Sequence, residues 1–189
     1  AVTVASGDAA VDLSSIAGDA LATITVNGTV TFTGTLDNAI ATTLAAGSVF
    51  NTTAAIANGK TIADGADTAT ANITALHSTL AANLGNVDAN TVTAAFDGNG
   101  TFTGDFGTAT VTVGDGNTLT TTAAKANAET INGAGTVAIT ALHSTLAADL
   151  STITANTVTA AFDGNGTFTG DLGTATVTVG DGNTLTTTA

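Results

Sequence analysis

The chain has 189 residues and a formal net charge of −13, with only two Lys+Arg side chains. An acidic chain of this kind does not hold a nucleic-acid backbone, since that affinity comes from neutralised phosphates, and no apolar run reaches the ~20 residues of a membrane-spanning helix. Charged residues make up 9% of the chain against roughly 25% in ordinary soluble domains, and Pro, Cys, Met, Trp and Tyr are absent, so disulfide staples and a Trp-centred core are excluded.

In chain order, Ala1-Val2-Thr3-Val4 alternates as a strand does and has no partner close in sequence. Such an edge either pairs within its own chain or is donated to the sheet of a neighbour. Asp12-Leu13-Ser14-Ser15-Ile16 then introduces a motif that returns as Asp149-Leu150-Ser151-Thr152-Ile153. Thr31-Phe32-Thr33-Gly34 returns as Thr101-Phe102-Thr103-Gly104 and Thr167-Phe168-Thr169-Gly170, and Thr52-Thr53-Ala54-Ala55 as Thr121-Thr122-Ala123-Ala124. These matches make residues 1–70 a divergent first repeat, followed by a second over 71–136 and a third over 137–189.

The second and third repeats are near-duplicates. Residues 73–123 and 139–189 align without a gap at an offset of 66, and 45 of 51 positions are identical. The six differences fall at positions 83, 85, 86, 87, 88 and 106 of the earlier copy. A single active site has no use for two copies of one strand set. An array does, because each unit covers the face of its neighbour.

Within a repeat, Leu76, Leu80 and Leu84 recur every four residues, as do Leu142, Leu146 and Leu150, which predicts one face of a short helix over 75–84. After it the period changes to two. Val92, Ala94 and Phe96 share one face, as do Ala109, Val111 and Val113, which predicts half-buried strands. Asp97-Gly98-Asn99-Gly100 and Gly114-Asp115-Gly116-Asn117 separate them with turn residues. The fold class is therefore all-β with short helical segments. A β-solenoid with coils of about 22 residues is favoured, and a β-sandwich, with strand donation, is the alternative.

Three features are candidates for chemistry. Asp97, Asn99 and Asp105, repeated as Asp163, Asn165 and Asp171, present alternating oxygens that suit calcium; the same residues also suit plain turns. A second cluster is Asp115 and Asn117 with Asp181 and Asn183. His77 and His143 lack a second metal-type ligand nearby, and Ser78 beside His77 is not in a nucleophile elbow, so no catalytic role is expected. The pairs Thr91/Thr93, Thr101/Thr103, Thr110/Thr112 and Thr118/Thr120 form Thr-x-Thr strands that would bind ice if they stacked regularly, but they lie at irregular intervals.

The Asp-Leu-Ser-Ser/Thr-Ile motif with Thr-rich strands and Asp-Gly-Asn turns resembles repeat modules of very large secreted bacterial surface proteins, of adhesin, surface-layer and extracellular-filament type. That resemblance implies an extracellular or cell-surface structural role, self-assembly through strand pairing or stacking, and frequent use of calcium. An adhesin-type module that binds glycan or ice is the alternative. The chain departs from the haemolysin-type repeats in lacking their Gly-Gly-x-Gly-x-Asp nonapeptide. Ala1 is not a translation start, so the expectation is a chain freed of a targeting segment or part of a longer one.

Overall fold

An alternating strand needs a partner for its backbone and a cover for its apolar face. Here both come from the same chain, about one coil further on. The computed structural model describes residues 2–5, 10–14, 23–37 and 39–188. Ala1 of the predicted first strand, Ser15 and Ile16 of the first motif, and Ala189 lie outside them. The fold is a β-solenoid: its ladders join parallel strands from successive coils. Parallel ladders rule out the β-sandwich alternative, whose sheets are antiparallel. Paired residues lie between 17 positions apart, as Ala160 with Val177, and 25, as Ile62 with Val87. The predicted coil of about 22 falls inside that range, but coil length is not fixed.

The chain divides into two compact units, residues 1–94 with 105–109 and residues 95–104 with 110–189. The first contains β1 (Val2–Ala5), β2 (Ile24–Asn27), β3 (Thr29–Thr31), β4 (Thr42–Leu44), β5 (Val49–Thr53), the one-turn helix α1 (Ala54–Ala57), β6 (Ile62–Asp64), β7 (Thr70–Thr74), β8 (Val87–Asp88) and most of β9 (Thr91–Phe96). One sheet runs β1-β2-β4-β6-β8, and β3, β5, β7 and β9 line up in another. The N-terminal strand thus pairs within the chain, Val2 to Ala5 against Ile24 to Asn27. Ile24, Val26, Leu44, Ile62 and Val87 from the first sheet and Val30, Phe50, Ala71, Ile73 and Ala94 from the second are buried. Each large apolar side chain so buried contributes about 1.5–3 kcal/mol. Phe32 and Phe50 stack at 5.9 Å between ring centroids.

The second unit contains β10 (Gly100–Thr101), β11 (Thr110–Val113), β12 (Thr118–Thr122), α2 (Ala123–Ala126), β13 (Ile131–Gly133), β14 (Thr136–Thr140), β15 (Thr157–Phe162), β16 (Gly166–Phe168), β17 (Thr176–Val179) and β18 (Leu185–Thr187). Its main sheet runs β10-β12-β14-β15-β17, with β11 against β13 and β16 against β18. Val111, Val113, Leu119, Val137 and Phe162 are fully buried. The last coil is not covered in this way. Val177 and Leu185 are only half-buried and Val179 is 39% exposed, whereas Val111, Leu119 and Val113, their counterparts 66 residues earlier, are 0% exposed.

Threonine hydroxyls tie coil to coil, those of Thr52 and Thr121 from buried positions. Thr52 Oγ1 donates to the Phe32 carbonyl and Thr121 Oγ1 to the Phe102 carbonyl, both at 3.1 Å. Thr74 and Thr140 repeat the bond one coil on, to the carbonyls of Thr52 and Thr121 at 3.2 Å. The neighbouring Thr53 and Thr122 cap α1 and α2, their Oγ1 atoms accepting from the amides of Ile56 and Lys125.

The helix predicted over 75–84 is corrected to a single 3₁₀ turn, Leu76–Ser78, repeated as Leu142–Ser144. Ala75 and Ala141 enter it with φ of 56° and 55°, a left-handed conformation that no helix interior tolerates. The chain then continues as short turns, with Ala82 N–H donating to the Thr79 carbonyl and Val87 N–H to that of Leu84. Leu76 and Leu84 are buried because each turn drops a residue into the core, and Leu80 stays half-buried. The period of four arises from these turns and not from a helix face.

Candidate functional site

Several Asp and Asn residues sit at the corners of the coils. Asp and Asn side chains there accept from the amide two residues on, closing Asx turns. Asp12 Oδ1 takes the Ser14 amide at 3.0 Å, Asn83 that of Gly85 at 2.9 Å, Asp105 that of Gly107 at 3.0 Å, Asp149 that of Ser151 at 2.9 Å and Asp171 that of Gly173 at 2.8 Å. The corners stack, Asn83 bridging to Asp105 in the first unit and Asp149 to Asp171 in the second. The hydroxyl and amide of Ser151 hold the Asp149 carboxyl below its ordinary pKa, and those of Ser14 do the same for Asp12. Asp64 is lowered mainly by the Ala66 amide.

The predicted calcium residues divide between different tasks. Asn99 Oδ1 accepts the Thr118 amide of the next coil, and Asn165 Oδ1 that of Thr184, each at 2.7 Å. Asp97 instead lies over Gly114: a Cβ placed there would stand 2.9 Å from Asp97 Oδ1 and 2.8 Å from Asn117 Nδ2. Asp163 and Asn183 meet over Gly180 in the same manner. Asp105 and Asp171 belong to the stacked corners. Asp115 and Asp181 are exposed on their turns. Among the described residues, no three His, Cys, Asp or Glu side chains gather closely enough to share an ion.

His143 packs edge-on against Phe162, with 6.3 Å between ring centroids. It also covers Gly164, where an added Cβ would lie 2.9 Å from the imidazole Cδ2. This explains one glycine of the Asp163-Gly164-Asn165-Gly166 turn by close approach. His143 Nε2 lies 3.1 Å from Ser144 Oγ, but its Nδ1 is buried without a hydrogen-bond partner. Among the described residues no acidic side chain bonds that nitrogen. A cleft of about 350 Å³ beside β15 and β17 is lined by Thr, Ala, Asn and Val, including Asn156 and Thr174, and carries no ionisable group.

The threonines behave differently from their irregular spacing in sequence. Coil lengths vary in step with them, so the register brings them into rows. Thr118, Thr136 and Thr157 stack across β12, β14 and β15. Thr101, Thr120, Ala138, Thr159 and Thr176 form the next row across five strands. Thr122 pairs with Thr140, and Ala161 with Thr178. In the first unit the matching row is closed on itself: Asn72 Nδ2 donates to Asn51 Oδ1 at 2.8 Å, and Thr93 Oγ1 to Asn72 Oδ1 at 2.9 Å.

No helix among the described residues is long and apolar enough to cross a membrane. The chain matches no protein-family model, and no curated protein or solved structure is detectably similar to it.

Proposed function

We propose that the chain is an extracellular structural protein, a repeat array of a bacterial surface filament, surface layer or matrix fibre that grows by stacking coil on coil. One observation carries the reading. The strands β17 and β18 present the face that β11 and β12, 66 residues earlier, present to β13 and β14, yet its apolar residues are left partly open. A further coil of the same kind, in the same chain or in another copy, fits there, and a head-to-tail contact of this type propagates as an open fibre. Within the first unit, β1 and β8 are the two ends of one sheet. The loose resemblance to secreted surface repeats supports the location.

Electron microscopy of the purified protein, with chelator and with millimolar calcium, tests the proposal. Fibres or sheets with a regular coil repeat are expected. Dispersed monomers under every condition would sink it. Calcium at the oxygen-rich turns of Asp97, Asn99 and Asp105 and of Asp163, Asn165 and Asp171 is a separate part of the proposal. Its binding would raise the melting temperature by mass action, and identical melts in chelator and calcium would remove it from the reading.

A further inference from the structure

We propose that the outward face of the sheet β10-β12-β14-β15-β17 binds ice. This surface is independent of coil stacking. Its rows of threonine form a two-dimensional array. Neighbours along the stack are set by the inter-strand spacing of about 4.8 Å, and alternate residues along a strand by about 6.7 Å. Repeats of these lengths lie close to the oxygen repeats on faces of hexagonal ice. Threonine is stiff at χ1, so its methyl and hydroxyl keep their places without further ordering cost.

Two other features narrow the partner. The five strands carry no ionisable side chain, in a chain of net charge −13. A neutral face is complementary to a neutral lattice and not to a cationic or anionic partner. Its outward residues include no aromatic ring on which a sugar could stack; Phe162 points into the core. The hydroxyls of Thr120, Thr136, Thr157, Thr159 and Thr176 make no hydrogen bond within the protein among the described residues, so they are available to order water. The first unit differs on this point, its Asn51, Asn72 and Thr93 being bonded to one another.

The test uses the full chain in dilute solution, measured by partition into a growing ice hemisphere and by thermal hysteresis. Enrichment in the ice fraction, with faceted crystals and a hysteresis gap, is expected. Thr159→Lys places a charge within the array, between Ala138 and Thr176, and should lose both signals. Thr130→Lys, at an exposed position just before β13 and outside this sheet, should keep both. Circular dichroism reports whether each variant is folded. If the lysine disrupts the fold, the near-isosteric Thr159→Val takes its place, with reduced hysteresis expected. Exclusion of the unaltered protein from ice overturns the proposal, as does binding to a glycan array without ice binding. A folded Thr159 variant that binds ice undiminished overturns it too.

Discussion

Single side chains in this protein act mainly on the backbone of an adjacent coil. Thr121 is 0% exposed, and its hydroxyl donates to the Phe102 carbonyl. Thr121→Val keeps the shape and removes that bond, so a loss of about 1 kcal/mol is expected in urea unfolding. An unchanged midpoint would show that the hydroxyl contributes nothing. Asp149 acts through its charge as well as its turn. Its folded carboxyl is held below the ordinary pKa by Ser151, so the stability it confers is complete above about pH 4 and drains as the pH falls through the folded value. Protonation also relieves the repulsion within an acidic chain, which opposes this trend. The comparison that isolates the residue is Asp149→Asn, since Asn83 closes the same turn in the other copy. The variant should lose less melting temperature between pH 6 and pH 2 than the parent. Parallel curves would refute the assignment.

At the level of elements, what could be read from sequence was the local pattern, and what could not was the partner. Alternation in 91–96 marks β9 to the residue, and 109–113 marks β11 within one. The inward set of Val92, Ala94 and Phe96 is buried as expected. The one-turn helices are not legible in the sequence, although Thr-Thr-Ala-Ala recurs at the start of both, because a four-residue helix has no period to detect. The leucine period misled because evenly spaced turns imitate a helix face. The threonine rows were hidden for a related reason: 18 residues separate Thr118 from Thr136 but 21 separate Thr136 from Thr157, and only the ladders show that both steps are one coil. Likewise the Asp-Gly-Asn spelling gives no sign that Asn99 accepts from Thr118 while Asp97 lies over Gly114. Glycines at the corners make this close stacking testable. Gly133 has φ of +113°, and an added Cβ would lie 2.2 Å from the Val113 carbonyl oxygen, so Gly133→Ala should cost more than about 3 kcal/mol. Gly116, at φ +72° with open space around it, should cost only about 1 kcal/mol as Ala. Equal costs in the two variants would mean that backbone strain, and not coil contact, dominates.

For the whole molecule, the near-duplicate repeats supply an internal control on assembly. In a stacked array each coil is stabilised by its neighbours, and a coil with one neighbour keeps half of its contact face bare. Two buried residues differ between the copies: Val87 and its counterpart Ile153 are both 1% exposed, whereas Phe106 is 1% exposed and its counterpart Leu172 is half-buried in the last coil. The other apolar residues of that coil are unchanged in identity and changed only in cover. Val179→Lys therefore introduces a charge where the monomer has little packing to lose, whereas Val113→Lys buries the same charge in a filled core. On the stacking model, Val179→Lys should melt within a few degrees of the parent and yet form no fibres, because its lysine would have to be desolvated by the incoming coil. Val113→Lys should cost several kcal/mol, as expected for an unpaired buried charge, and fail to fold cooperatively. Fibres of Val179→Lys that match those of the parent in length and yield would place the growing contact elsewhere on the molecule, and the half-covered strands β17 and β18 would then have no part in it.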